Sequence, residues 1–209
     1  MRILLSSFEP FGSHEINASA EVARRLGGIG VEGAELAVIE LPVVRYEAAR
    51  RLVDAFERVR PDAAALLGID NKRSSITPER VAVNVDDYRI PDNAGNLPAD
   101  ELIAPVGPTA YWSTLPIKAI VAALAASGIP AEVSNSAGTY LCNHVFYSLL
   151  HHIDVAGGRC RAGLVHIPQM REAFEGEGPS LPLETLVRGV SITIETVIAT
   201  LRSDGVGEE

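Results

Sequence analysis

The chain has 209 residues, 47% of them hydrophobic and 22% charged, with a formal net charge of −9. This is the composition of an ordinary globular protein, and one α/β domain of this length buries about 70% of its unfolded surface without a disulfide or metal staple. The acid excess, unrelieved by any cluster of Lys or Arg, excludes a phosphate-tracking nucleic-acid surface. No apolar run approaches the ~20 residues of a membrane helix.

Apolar periodicity divides the chain into alternating strands and helices. Arg2–Ser6 reads as a buried first strand and Glu35–Leu41 as a second. In Tyr46–Val59 the residues Ala49, Leu52, Val53 and Phe56 recur at helical spacing and form one stripe. Ala63–Leu67 and Val81–Val85 are two further short apolar runs. Regularity then fails between Asp86 and Pro108, which carry four prolines and two glycines. A loop of that length is expected to be a substrate-side or inter-subunit arm, a plain surface excursion being the alternative. Pro116–Ser127 reads as a helix with Ile117, Ile120, Val121 and Leu124 inward, stopped at Gly128. Ala131–Ser134 and Gly163–His166 complete the strands. The last helix, about Leu183 to Arg202, turns Leu183, Leu186, Val187, Val190, Ile194, Val197 and Leu201 inward, with Ser180 or a neighbour as its cap. The tail after Ser203 is expected to fray. Residues 1–209 thus read as a single domain, a mostly parallel sheet with helices on both faces.

The start, Met1-Arg2-Ile3-Leu4-Leu5, turns polar too soon for a signal peptide. The two cysteines, Cys142 and Cys160, are therefore expected as reduced thiols in a cytoplasmic protein, and their spacing excludes a zinc ribbon. Cys142 lies where a turn of small polar residues, from Ser134 to Thr139, gives way to the helical pattern Val145, Phe146, Leu149, Leu150. At a helix N-terminus the dipole stabilises a thiolate, and free N–H groups can hold an oxyanion. A small buried core residue is the competing reading.

A cysteine nucleophile needs a base, and there are five histidines. His144 points to another helix face than Cys142. His151 and His152 suit the C-terminal end of their helix, and His14 has no evident partner. His166 ends a strand, and in open α/β sheets ligands bind at that rim, so His166 and Cys142 can converge there. A hydrogen-bonded rim histidine remains the alternative. Glu79 stands before Val81–Val85 and can orient an imidazole, although pairing with Arg80 explains it equally well.

Five blocks in order resemble the pyrrolidone-carboxylate peptidase family of cysteine peptidases: Phe8-Glu9-Pro10-Phe11-Gly12, Thr77 to Asn84, Arg89 to Asn96, Ser136 to His144, and His166-Ile167-Pro168. The resemblance runs from Ile3 to the last helix. It implies a three-layer α/β/α sandwich around a mostly parallel twisted sheet, and removal of an N-terminal pyroglutamyl residue from peptides. It also implies a triad of Cys142, His166 and Glu79, with Arg89 supporting the oxyanion. Phe8 and Phe11 are implied as walls of the lactam slot, with Ile69, Ile90, Tyr140 and Leu141 nearby. No metal or cofactor is implied. The expected partners are small peptides with blocked N-termini and further copies of the chain, as a dimer or tetramer, with neither nucleic acid nor membrane.

The sequence departs from the family near that slot. Gly68-Ile69-Asp70-Asn71-Lys72-Arg73 stands where Gly-Gln-Ala-Gly-Gly-Arg is usual. Ser6-Ser7 replaces Thr-Gly, Ala18 a proline, and Val43 a common threonine. The lost glycines predict a different loop backbone, and the lost glutamine predicts weaker recognition of the lactam by about 1–3 kcal/mol. A divergent homologue with another substrate, or a binding role without catalysis, therefore stays open.

Overall fold

The computed structural model describes residues 1–12, 15–173 and 178–205. Its strands are β1 (Arg2–Phe8), β2 (Glu35–Leu41), β3 (Ala63–Ile69), β4 (Thr77–Pro78), β5 (Val81–Val83), β6 (Ala110–Trp112), β7 (Arg161–Ile167), β8 (Gln169–Met170) and β9 (Ser180–Leu181). Its α-helices are α1 (Ala18–Ile29), α2 (Glu47–Val59), α3 (Ile117–Ala126), α4 (Leu141–Val155) and α5 (Leu183–Gly205).

The central sheet runs β2-β1-β3-β7-β4. Its first four strands are parallel, and β4 is antiparallel to β7. Alternation along the strands builds two cores. Ile3, Leu5, Ala65, Leu67 and Val165 face one way, against Val22 and Leu26 of α1, Ile120 of α3 and Val190 and Ile194 of α5. Leu4, Leu66 and Leu164 face the other way, against Leu52 of α2 and Val145, Phe146 and Leu149 of α4. These are the three layers expected.

Several elements differ from the sequence reading. Helix α1 was not foreseen; Asn17 caps it by accepting the Ser19 N–H at 2.9 Å. Val81–Val85 contributes only β5, which leaves the main sheet to pair antiparallel with β6. The fifth main strand is instead the two-residue β4. Ala131–Ser134 is not a strand of the sheet, and it meets residues 76–79 through two isolated bridges, Ile76 with Ala131 and Glu79 with Ser134. Ser180 belongs to β9, and the first turn of α5 is served by Glu172, whose carboxylate oxygens accept the Leu183 N–H at 3.0 and 3.1 Å. Helix α5 continues to Gly205, while the end of the tail, 206–209, and His14 lie outside the described residues.

The irregular arm folds back on itself. Asp86 and Glu101 exchange backbone hydrogen bonds, and Tyr88 N–H donates to Pro98 O at 2.9 Å. Beneath this pairing, buried Asp86 takes Arg45 Nε at 2.7 Å and His144 Nδ1 at 2.8 Å on one oxygen, Oδ2. Arg45 Nη1 reaches Glu101 at 2.7 Å. The arm is thus riveted to α4 through the third residue of the helix's first turn that follows Leu141.

Candidate active site

Strand order reverses between β1 and β3, and such a switch point leaves a crevice at the carboxyl ends of the strands. β1 pairs with β3 only as far as Ser6 and Leu66, so Gly68 and Ile69 continue past their last β1 partner. β7 lies on the other side of β3, and its register sets Gly68 beside His166. His166 follows the alternation of Ala162 and Leu164, which turns it to the α4 face.

Cys142 enters from α4, at the second residue of the helix. Tyr140 is the N-cap residue and gives no side-chain cap. Among the described residues no acceptor takes the N–H of Leu141, Cys142 or Asn143, which leaves three donors at the positive end of the helix dipole. The turn into the helix passes through Gly138 at φ +74°, a conformation that favours glycine. It is tied to the arm by reciprocal bonds of Thr139 and Asp87: Asp87 N–H donates to Thr139 O at 3.1 Å, and Thr139 Oγ1 to Asp87 O at 2.7 Å.

The thiol and the imidazole meet over Gly68. A Cβ at that position would stand 2.7 Å from Cys142 Sγ, 2.9 Å from His166 Cδ2 and 3.1 Å from His166 Nε2. The missing side chain is therefore the space the pair occupies. The other ring nitrogen, Nδ1, lies 2.7 Å from Glu79 Oε1, and Glu79 is wholly buried. With Nδ1–H donated to the carboxylate, Nε2 is left facing the thiol across the space over Gly68. Burial pulls the His166 pKa down, but the charge and hydrogen bonds of Cys142 and Glu79 outweigh it and hold the value at about 9. An imidazolium beside the sulfur is the protonation state that stabilises a thiolate.

The other histidines are engaged elsewhere: His144 with Asp86, His151 with the Tyr111 hydroxyl at 2.8 Å, and His152 with Glu57 at 2.6 Å. Arg80 is not the partner of Glu79; its Nε donates to Asn135 Oδ1 at 2.7 Å. Arg73 takes that place, with Nη2 3.0 Å from Glu79 Oε1. The sequence reading missed both Gly68 and Arg73. Register against His166 was the available signal for the glycine; no periodicity marks the arginine.

Of the residues expected to line a slot, Phe8, Phe11, Tyr140 and Leu141 gather on the α4 face around Cys142, together with Tyr88. Tyr140 is packed between Phe11 and Tyr88, at ring-centroid distances of 5.5 and 4.5 Å, and its hydroxyl donates to Pro91 O at 3.2 Å. Leu141 is itself buried in the core. Ile69 is not in this group: its side chain packs with the cluster on the opposite face, like its register partner Ile167. Ile90 is 52% exposed, and Arg89 is exposed with no partner among the described residues.

The loop after β3 also turns without its glycines. Asn71 and Lys72 both keep negative φ, because Asp70 Oδ1 accepts the Lys72 N–H at 3.0 Å and Asp70 O accepts the Arg73 N–H at 3.1 Å. An Asx-turn replaces glycine's freedom.

Comparison with known proteins identifies the family of the chain. The family model described as pyroglutamyl peptidase matches residues 1–200. The chain belongs to the pyroglutamyl peptidase family. The pyrrolidone-carboxylate peptidase of Bacillus licheniformis is 46% identical over 208 residues, covering 99% of this chain and 96% of the relative. That of Vibrio vulnificus is 46% identical over 200 residues, covering 95% and 93%. The crystal structure of Bacillus amyloliquefaciens pyroglutamyl peptidase I superposes with a TM-score of 0.91 at 40% identity, covering 95% and 97% of the two chains. The pyrrolidone carboxyl peptidase of Thermococcus litoralis gives 0.92 at 35% identity, covering 97% and 96%.

Within this pyroglutamyl peptidase fold, Gly68 is open to a direct test. Gly68→Ala should lower turnover about 100-fold, because an ångström of displacement at the reacting atoms costs that much. The melting temperature should change little, since the methyl meets side-chain ends rather than backbone. Steady-state kinetics beside a thermal melt read both; activity within threefold of the parent would show that the pair does not use this space.

Proposed function

We propose that this protein is a cysteine peptidase that hydrolyses the bond after an N-terminal pyroglutamyl residue of peptides, working as one domain over residues 1–209. The observation that carries the reading is the space over Gly68, shared by a thiol and an imidazole whose far nitrogen is bonded to a buried carboxylate. In this reading Cys142 is the nucleophile, His166 the acid–base and Glu79 the group that orients it.

The sulfur attacks the pyroglutamyl carbonyl, forming the S–C bond while Nε2 of His166 holds the thiol proton. The carbonyl oxygen becomes an oxyanion facing the uncapped amides at the start of α4, with Arg89 free to approach it from the arm. Collapse breaks the C–N bond, and the imidazolium gives its proton to the departing amine. Water then attacks the thioester, His166 takes its proton, and the thiolate leaves. The lactam ring fits a slot walled by Phe8, Phe11 and Tyr140 and floored toward Leu141, with Ile90 at its border.

Small peptides with blocked N-termini are the substrates this chemistry takes. Among the described residues no helix is long and apolar enough to cross a membrane, and two free cysteines suit a reducing, cytoplasmic compartment. Assembly into a dimer or tetramer would cover Leu97, Leu102 and Val106, which the arm exposes.

A pyroglutamyl-aminocoumarin assay tests the function. Release of fluorophore should be rapid with that substrate and absent with the prolyl and glutamyl analogues, which lack the lactam carbonyl or the closed ring. Folded protein that turns over none of them overturns the reading.

A further inference from the structure

Glu79 is fully buried, and a carboxylate out of water stays ionised only with a compensating charge. Its contacts are unevenly shared. Oε1 receives both His166 Nδ1 at 2.7 Å and Arg73 Nη2 at 3.0 Å, whereas Oε2 has no partner among the described residues. A neutral carboxyl would orient the imidazole poorly and do nothing for its positive charge. The guanidinium is the permanent cation in contact with that oxygen, beside the titratable imidazole.

Arg73 is held for this purpose by three segments at once. Nε donates to Asp70 Oδ2 at 2.8 Å, Nη1 to Thr77 Oγ1 at 2.8 Å, and Nη2 to Ser136 O at 3.2 Å. Thr77 Oγ1 in turn donates to the His166 carbonyl at 3.4 Å. The arginine thus ties the loop after β3, the strand β4 that directly precedes Glu79, and the turn that leads into Cys142.

We infer that Arg73, buttressed by Asp70, is a positioning residue that keeps Glu79 ionised and aimed at His166, and so sustains the thiolate–imidazolium pair. The inference rests on the proposed roles of Cys142, His166 and Glu79. The other charged groups around this centre are accounted for: Asp70 acts on His166 through space as well as through Arg73, Arg80 is turned to Asn135, and Glu132 on the neighbouring segment accepts from the Ser75 hydroxyl at 2.9 Å.

The test reads the pair without any peptide substrate, so it stands or falls apart from the pyroglutamyl assignment. The rate of iodoacetamide alkylation at Cys142 is followed against pH by peptide mass spectrometry. Cys160, whose pKa burial and then Asp62 push up to about 12, serves as the slow internal control. In Arg73→Gln the acid limb of the Cys142 profile should move up by about one pH unit or more, the effect of removing a contacting opposite charge. Arg73→Lys keeps one charge but cannot hold Asp70, Thr77 and Glu79 together, so it should move the limb the same way by less; it carries the test if Arg73→Gln does not fold. A limb at the parental pH in a folded variant overturns the inference, including a rate lowered equally at every pH, which is what a packing role alone would give.

Discussion

Cys142→Ser should leave a folded protein whose kcat/KM on a pyroglutamyl anilide is at least about 10³-fold lower. The hydroxyl is far less acidic and less nucleophilic than the thiol, so His166 activates it poorly for attack. The serine fills nearly the same volume in the space over Gly68, so the melting temperature should hardly change. Cys160→Ser provides the contrast: among the described residues that thiol donates only to the neighbouring Arg161 carbonyl, at 3.6 Å, and its loss should leave turnover within about twofold. Adding His166→Ala to Cys142→Ser should cost little more, because residues that act as one unit are not additive. Steady-state rates with thermal melts decide the matter, and a Cys142→Ser protein retaining a tenth of the activity would remove Cys142 from the role of nucleophile.

How far the sequence reveals such a site depends on the range of the interaction. The helices α2, α3 and α5 show themselves by spacing alone, since each buries one stripe against one face of the sheet. Helix α1 does carry Val22, Ala23 and Leu26 inward, but Arg24, Arg25 and the pair Gly27-Gly28 dilute the pattern. β4 is two residues long and includes a proline, too short for any period to appear. Val81–Val85 alternates as a strand should, yet alternation names no partner, and β5 pairs with β6 rather than with the main sheet. Extended residues at 131–134 are legible as extended and not as bridged.

The site follows the same division. That Cys142 opens a helix is a local property and can be read from the turn before it. That His166 faces it is a matter of strand order and register, since Gly68 and His166 are neighbours only because β3 and β7 pair. Only the ordered family motifs could join residues 79, 142 and 166 from the sequence. The changed loop is legible in part. Loss of two glycines predicts a loop backbone other than the family's, and Asn71 and Lys72 turn without positive φ on an Asx-turn from Asp70. Ile69 was expected in the slot, while the period of the strand sends its side chain to the other core.

Asp86→Ala should destabilise the protein by about 3 kcal/mol or more, far from the reacting atoms. Asp86 is completely buried and offers one oxygen to both Arg45 and His144, each itself nearly inaccessible. Truncation removes the anion and leaves the guanidinium with the Tyr46 ring and with Glu101, a residue half exposed to solvent. His144 would lose the acceptor of its Nδ1 proton and keep only the edge contact with Tyr46. For a chain of this length each kcal/mol lowers the melting temperature by about 2–4 °C, so a fall of about 6 °C or more is expected. The consequence reaches the slot, because Asp86 begins the arm that carries Tyr88 against Tyr140. The KM for a pyroglutamyl substrate should therefore rise at temperatures where the variant is still folded, with iodoacetamide labelling of Cys142 nearly unchanged. Denaturant titration with an unaltered m-value, beside the kinetics, separates the two effects. A loss below about 1 kcal/mol would mean that the arm is held by its backbone pairing with Glu101 and that the buried charges are incidental to it.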